Sequence, residues 1–146
     1  MEQAVQEYRT FIWFSYRKIP GMTKEMNSDT SWGCLIRVGQ MAFAAALKKH
    51  LIIKTKFSDK TICTNIITAF LDQKDHSSKY SLTKIVEQAR ELFDISYGKW
   101  FSASQICNCL VSLHQKNPMR GTEDLKTLFY PYSQIFILDI CKLMEV

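Results

Sequence analysis

The segment from Cys34 to Leu51 limits the possible folds of this chain more than any other feature. It follows a region rich in turn-forming residues, and it consists of good helix formers that are apolar on nearly every side. Such a segment predicts a helix buried at the centre of a protein. Arg37, Lys48 and Lys49 interrupt it before it reaches the roughly eighteen apolar residues that a membrane-spanning helix needs, and no membrane span is predicted.

Three shorter segments downstream each carry one apolar stripe at the spacing of an amphipathic helix. The first follows a cap at Ser58 or Asp59, the second follows Ser81, and the third lies between Ser102 and Gln115. Cys107 and Cys109 fall on or beside the third stripe, which predicts that both thiols lie in or against the core.

Two runs of branched and aromatic residues, 11–16 and 134–143, predict short buried strands. Together with the helical segments they predict the α+β class, mostly α-helical. The chain has 146 residues, of which 47% are hydrophobic and 23% charged, the balance of one folded soluble domain. Its net charge of +5 is scattered along the sequence rather than clustered, so we predict no nucleic-acid partner.

The five cysteines are an odd number, and no apolar signal peptide opens the sequence. This combination predicts a reducing, cytoplasmic environment. The Cys107-x-Cys109 spacing does not fit a zinc site, because no second pair of Cys or His follows it. We therefore predict neither a metal nor another cofactor.

Cys34 lies where the polar turn becomes the apolar helix, and two interpretations of it are open. A helix N-terminus stabilises the thiolate, Gly33 removes a side chain beside the sulfur, and Ser31 and Trp32 would form a rim, which together favour a nucleophile. Alternatively, Cys34 is a small buried residue that fills space at the start of an apolar helix. Local chemistry alone does not decide between them.

Four stretches of the sequence resemble one known family, the autophagy cysteine proteases. "TFIWFSYRK" is similar to its W-F-[TS]-Y-R-K pattern, and "SDTSWGCLIRVGQM" to S-D-x-G-W-G-C-M-L-R-x-G-Q-M. "FLDQKDHSSKYSL" and "YGKWFSASQ" resemble two further segments of that family. The resemblance covers about residues 10–115 and, more loosely, the region near 135–141.

This resemblance implies a papain-like fold, of which residues 1–146 would be the N-terminal part of a single catalytic domain, with the second lobe absent. It implies cleavage of the C-terminal tail of a ubiquitin-like autophagy modifier after glycine, and release of that modifier from phosphatidylethanolamine. The expected partners are the precursor and lipid-conjugated forms of the modifier, and membranes would be met only peripherally, through the lipidated substrate.

The resemblance also implies roles for individual residues. The nucleophile falls on Cys34, the tyrosine that assists the oxyanion on Tyr16, and the tryptophan that covers the substrate passage on Trp100. The Cys34 backbone N–H would be a second oxyanion donor. For Tyr16 and Trp100 the alternative is an aromatic residue of the core. The matching residues Asp29, Arg37 and Gln40 are predicted to be scaffold.

The sequence departs from the family in one major respect, because it contains no Asp-Pro-His, the segment that supplies the acid and the base. A smaller departure is Ser31, which replaces a glycine. We therefore expect a fragment or truncated paralogue of the protease that is inactive as it stands. The alternatives are a noncatalytic modifier-binding module or decoy, and an incomplete gene model whose missing part supplies Asp-Pro-His.

Overall fold

The computed structural model of the chain describes residues 10–73 and 75–130. The described ranges contain four α-helices, with the bounds α1 Cys34–Lys54, α2 Asp59–Ala69, α3 Leu82–Phe93 and α4 Ala103–Lys116. Helix α1 packs against α2 and α4, and α4 also packs against α3. Within the described residues none of the helices is both long and apolar enough to cross a membrane.

Each of the three shorter helices begins at a serine cap, and the sequence predicts Ser81 as a cap and Ser58 as one of two candidates. Ser58, Ser81 and Ser102 have extended backbone angles, and each side chain accepts a hydrogen bond from the backbone N–H three residues on. At α4 the Gln105 side chain also accepts from the Ser102 N–H at 2.8 Å, which completes a capping box. The predicted starts of all three helices are confirmed.

Helix α1 is buried along one face, in contrast to the prediction of a helix surrounded on every side. Its inward face carries four apolar residues that are at most 4% exposed and two polar ones. On the opposite face, Val38 and Ile52 are half exposed and Ile53 is 78% exposed. The sequence did not separate the two faces because alanine and branched residues occur on both. The inward residues are Ile36, Arg37, Gln40, Ala44, Leu47 and Leu51.

Aromatic rings fill the core between α1, α2 and the loop that precedes α3. The Phe70 ring lies 5.1 Å from the rings of both Phe14 and Tyr80, measured between centroids. Phe43 of α1 meets Tyr80 edge-on at 5.1 Å. Tilted and edge-on pairs of this kind contribute about 0.5–1.5 kcal/mol each beyond the burial of their surface. The cluster fixes the segment around Phe14 against the helices.

The predicted strand at 11–16 is not formed among the described residues. The segment has no regular secondary structure, and the nearest pairing is one isolated antiparallel bridge between Lys18 and Ser28. A strand requires a neighbouring strand to accept and donate its backbone hydrogen bonds, and the described ranges contain none. Its apolar character is explained in part by Phe14, which enters the aromatic cluster. The second predicted strand, 134–143, lies outside the described residues.

Candidate active site

Cys34 is the first residue of α1, and it is partly exposed. The residue before it, Gly33, has no side chain with which to cap the helix, so α1 differs from the three serine-capped helices. The first helical hydrogen bond runs from the Arg37 N–H to the Gly33 carbonyl at 3.0 Å. The N–H groups of residues 34–36 therefore have no acceptor within the helix and can stabilise a negative charge at Cys34.

Position 33 requires glycine because no space is available there for a side chain. A Cβ atom added there would lie 2.8 Å from the Asp29 Cβ and 2.9 Å from both the Asp29 carbonyl oxygen and its Oδ2. The Gly33 φ of −82° is one that any residue adopts, so the obstacle is the contact and not the backbone angle. The sequence interpretation, in which the glycine opens a path to the sulfur, did not foresee this contact.

Trp32 is buried, in contrast to its predicted place on the rim of the site. It is 4% exposed, and its Nε1–H donates to the Ser28 carbonyl at 3.0 Å. Its ring meets Tyr97 edge-on at 6.1 Å. Ser31 is exposed, with a φ of +74°. This left-handed backbone angle is energetically unfavourable for a residue that has a Cβ. The cost gives a physical reason for the glycine that the family pattern has at this position.

Asp29 is fully buried and connects three parts of the site. Its Oδ1 accepts the Arg17 backbone N–H at 2.6 Å, and its Oδ2 accepts the Arg37 Nε–H at 2.6 Å. Its carbonyl oxygen accepts the Gly33 N–H at 2.8 Å. Asp29 thus joins the segment after Tyr16 to the start of α1, which confirms its prediction as scaffold.

Arg37 is buried, and its guanidinium group is paired with the carboxylates of Asp29 and Asp72. Besides Asp29, it donates to the Gln40 Oε1 at 2.9 Å and to the Asp72 Oδ2 at 3.0 Å. Gln40 in turn donates to a backbone carbonyl of the loop before α3 at 2.8 Å. The prediction that Arg37 and Gln40 are polar residues with structural partners in a buried helix is confirmed. Sequence reasoning did not single out Asp72, although it lies in the "FLDQKD" stretch that resembles the family.

Tyr16 is 48% exposed and lies in the segment that Asp29 holds. Arg17, the next residue, donates its N–H to the Asp29 side chain, and its carbonyl accepts the Asp29 N–H at 3.4 Å. Tyr16 and Cys34 are therefore each one residue away from a backbone group bonded to Asp29. Within the described residues no hydrogen bond joins their two side chains. Both predicted residues lie at the same end of α1.

Trp100 is 73% exposed and belongs to a loop that packs against the residues before Cys34. Two contacts establish this packing. One is the edge-on contact of Tyr97 with Trp32. The other is at Gly98, where an added Cβ would lie 2.6 Å from the Met26 Cε and where the φ of +79° also favours glycine. The exposed ring is thus available to a ligand, and the prediction of an alternative core role does not fit its exposure.

None of the three histidines has a contact with Cys34 in the described part of the chain. His50 lies about sixteen residues further along α1, which at about 1.5 Å per residue is roughly 24 Å. Its Nε2 lies 3.3 Å from Asp124. His76 is exposed in the turn after Asp75. Neither residue has a described contact that would make it the base for Cys34.

His114 is buried near the end of α4. It is 3% exposed, and its ring lies edge-on to Phe43 at 5.5 Å. Phe43 is about nine residues from Cys34 on α1, or roughly 14 Å along the helix. Burial lowers the pKa of His114, while hydrogen bonds from its ring to backbone carbonyls partly oppose this shift. Its position and contacts make it a core residue.

A chain of hydrogen bonds fixes the tautomer of His114. The Met119 N–H donates to the Tyr80 Oη at 3.1 Å, so the Tyr80 hydroxyl is free to donate to the His114 Nδ1 at 2.8 Å. The His114 Nε2–H then donates to the Leu125 carbonyl at 3.2 Å. Burial also raises the pKa of Tyr80 to about 12, which keeps this hydroxyl protonated. With a neutral imidazole, every donor and acceptor in this series of hydrogen bonds has its partner.

The other cysteines differ in accessibility. Cys109 is buried, and its burial raises the pKa of the thiol to about 12. Cys63 is partly exposed, with its sulfur 3.9 Å from the Asp59 Oδ2. Cys107 is exposed, so it does not lie in the core, the first of its two predicted positions, because its side of α4 faces away from the apolar stripe. Cys141 lies outside the described residues.

Comparison with known proteins identifies the family. A model of the Peptidase C54 catalytic domain matches residues 1–145. The protein named "Cysteine protease ATG4B" from Xenopus laevis is 35% identical over 121 residues, which cover 77% of this chain and 30% of that protein. "Probable cysteine protease atg4" from Schizosaccharomyces pombe is 30% identical over 118 residues, covering 80% of this chain and 34% of that protein.

A third relative shares a shorter and more similar stretch. "Cysteine protease atg4" from Dictyostelium discoideum is 45% identical over 49 residues, which are 32% of this chain and 7% of that protein. The chain spans about a third of the length of the first two relatives. With the family model matching nearly every residue, the chain belongs to the autophagy-related cysteine proteases of the Peptidase C54 family.

Proposed function

We propose that this chain carries the nucleophile of a cysteine protease that cleaves the C-terminal tail of a ubiquitin-like autophagy modifier after a glycine. The observation that carries this proposal is the position of Cys34, partly exposed at the uncapped start of a buried helix. Residues 1–146 are then the N-terminal part of one papain-like catalytic domain, acting in the cytoplasm. The same site would release the modifier from phosphatidylethanolamine, so it would meet membranes through the lipidated substrate.

The proposed residues have distinct roles. The Cys34 sulfur attacks the carbonyl carbon of the glycine, and the carbonyl oxygen takes up the negative charge. The Cys34 backbone N–H and the Tyr16 hydroxyl donate hydrogen bonds to that oxygen. Trp100 covers the extended tail of the substrate. The half-exposed Tyr16 and the largely exposed Trp100 support these roles, since both side chains are open to a ligand.

Completion of the reaction requires a base to take the thiol proton and an acid to protonate the leaving amine. Among the described residues no hydrogen bond joins Cys34 to His50, His76 or His114, and we infer that none of them is this group. Loss of general acid–base catalysis reduces rates by typically about 10²- to 10⁴-fold. We therefore expect the 146-residue chain on its own to bind the modifier weakly without turning it over.

The first test follows release of the tail from the modifier precursor by mass spectrometry, with Cys34→Ala as the control. We expect no release above the level of the control. Cleavage that disappears in Cys34→Ala would contradict the inactivity of the chain and would require a base among its own residues.

The second test measures binding of the mature modifier by isothermal titration calorimetry. Trp100→Ala is expected to weaken binding, because it removes an exposed ring from the proposed passage. Phe57→Ala is the matched control, since Phe57 is also an exposed aromatic, 60% exposed, but lies between α1 and α2. Equal effects of the two substitutions would contradict a site at Trp100.

A second function, that of a noncatalytic modifier-binding module or decoy, is favoured by the positions of the histidines. In this case binding would again depend on Trp100, but Cys34 would have no chemical role. Reaction of Cys34 with a modifier that ends in an electrophile separates the two functions, because only a nucleophile aligned with the glycine forms the bond.

A further inference from the structure

The geometry points to Asp29 as a positioning residue that holds the Tyr16 segment and the Cys34 helix start in one fixed arrangement. This inference deepens the proposed function and rests on it for the roles of Tyr16 and Cys34. Asp29 itself does not touch the sulfur in any described contact, so it acts through its neighbours. From the sequence alone, Asp29 is predicted only as general scaffold.

Three bonds of Asp29 lead to two segments, the one after Tyr16 and the start of α1. Oδ1 holds the backbone of Arg17, next to Tyr16, and the carbonyl oxygen holds the backbone of Gly33, next to Cys34. Oδ2 holds the side chain of Arg37, one turn into α1. Because Asp29 is fully buried, water does not replace any of these bonds if one is lost. One carboxylate and one carbonyl thus define how the two proposed oxyanion donors are placed.

The contact at Gly33 adds a steric constraint to these bonds. The space for a Cβ at Gly33 is occupied by the Asp29 side chain and carbonyl, at 2.8–2.9 Å. Asp29 therefore constrains the backbone just before Cys34 in two ways, through a hydrogen bond and through van der Waals contact. Movement of Asp29 would displace the first turn of α1, where the free N–H groups lie.

Asp72 provides a matched control for the charge of Asp29. It is a second carboxylate on the same guanidinium, 3.0 Å from the Arg37 nitrogen, and its side chain is 6% exposed. It also accepts the Leu82 N–H and lies 3.5 Å from the Arg17 side chain, but it has no hydrogen bond to Gly33 or to the Arg17 backbone. Asp29→Asn and Asp72→Asn each leave Arg37 with one fewer negative partner, so their electrostatic effects on a thiolate have the same sign.

The test is the rate at which Cys34 reacts with iodoacetamide, divided by the rate of the exposed Cys107 in the same molecule. Both rates are read by mass spectrometry under conditions where each variant is folded. We expect Asp29→Asn to lower this ratio by about two- to fivefold, the contribution of an aligned helix N-terminus to a neighbouring anion. Asp72→Asn is expected to leave the ratio unchanged or to raise it. Equal changes in the two variants would overturn the proposal, because Asp29 would then act only through its charge.

A second pair of variants covers the case in which Asp29→Asn does not fold. Gly33→Ala pushes against Asp29 without changing any charge, and Gly39→Ala is the control on the same helix, where the new Cβ would lie 2.6 Å from the Ile106 Cγ1. Only Gly33→Ala is expected to lower the Cys34 to Cys107 ratio. If both variants keep the wild-type ratio, Asp29 does not position Cys34. Alkylation needs no modifier, so its outcome is independent of whether the proposed substrate is correct.

Discussion

The Nε atom of Arg37 lies 2.6 Å from the Oδ2 atom of Asp29, and the two side chains are 3% and 0% exposed. This ion pair joins the second turn of the long helix to the loop that leads into it. Removing one partner of such a pair leaves the other charge buried without compensation. The pair therefore stabilises the fold and the start of the helix together.

Arg37→Gln is expected to lower the free energy of unfolding by about 3–5 kcal/mol, because the carboxylates of Asp29 and Asp72 lose their common cation. Arg37→Lys should recover only part of this loss, since one ammonium group does not reproduce the planar fork of the guanidinium. Urea denaturation measures the change. Val38→Gln, at an exposed position on the same helix, is the control, and an equal loss there would contradict the importance of the pair.

Ser31→Gly is expected to stabilise the chain by roughly 1 kcal/mol, because it removes the Cβ from a residue with a φ of +74°. Ser96→Gly is a matched control, since Ser96 is also exposed and does not have a positive φ. There the added flexibility of the unfolded chain should cost stability. Thermal unfolding of both variants gives the comparison, and a lower midpoint for Ser31→Gly would contradict strain at this position.

The buried imidazole of His114 predicts a dependence of stability on pH. Burial lowers the pKa of His114 in the folded state, so the unfolded chain binds more protons as the pH falls below about 6.5. The stabilisation is therefore complete above that pH and is lost as the pH falls towards the folded-state pKa. The urea midpoint should fall as the pH is lowered from about 8 to about 5. His114→Gln should remove the contribution of His114 to this pH dependence. An unchanged slope in His114→Gln would contradict the assignment.

The open face of α1 predicts binding of a hydrophobic dye. Ile53 is 78% exposed and Ile52 is 50% exposed, on the same side as Val38. Adjacent exposed apolar residues such as Ile52 and Ile53 bind such dyes or promote self-association. Ile53→Lys should reduce dye fluorescence and association, whereas Ile53→Leu should not. Weak dye binding and a monomeric wild-type chain in sedimentation would contradict an open apolar face.

The parts of the fold that depend on local chemistry could be predicted from the sequence. Serine caps and the three-and-four spacing gave the starts of α2, α3 and α4, because both signals lie within a few residues of one another. The strand at 11–16 was not found, since a run of aromatic residues does not reveal whether a neighbouring strand exists. The burial of His114 depends on Tyr80 and Phe43, which are distant in sequence.

In the candidate site, too, some features could be predicted from the sequence and others depend on the fold. Asp29, Arg37 and Gln40 were identified through family resemblance, and their polar character in a buried region predicted structural partners. Their actual connections, including Asp72, required the fold. Gly33 and Trp32 were assigned to substrate access because their neighbours in space were unknown. The exposure of Cys107 likewise follows from the rotation of α4, which the stripe fixed only approximately.

The role of Cys34 as the nucleophile is tested most directly by its reaction with a modifier whose C-terminal glycine carries an electrophilic group. We predict a covalent adduct located at Cys34 by mass spectrometry, formed more slowly in Trp100→Ala and absent in Cys34→Ala. The isolated electrophile, without the modifier, should label Cys34 much more slowly than the modifier-linked electrophile does. An adduct at Cys63 or Cys107 instead, or equal labelling by the isolated electrophile, would contradict the assignment of Cys34 as the nucleophile.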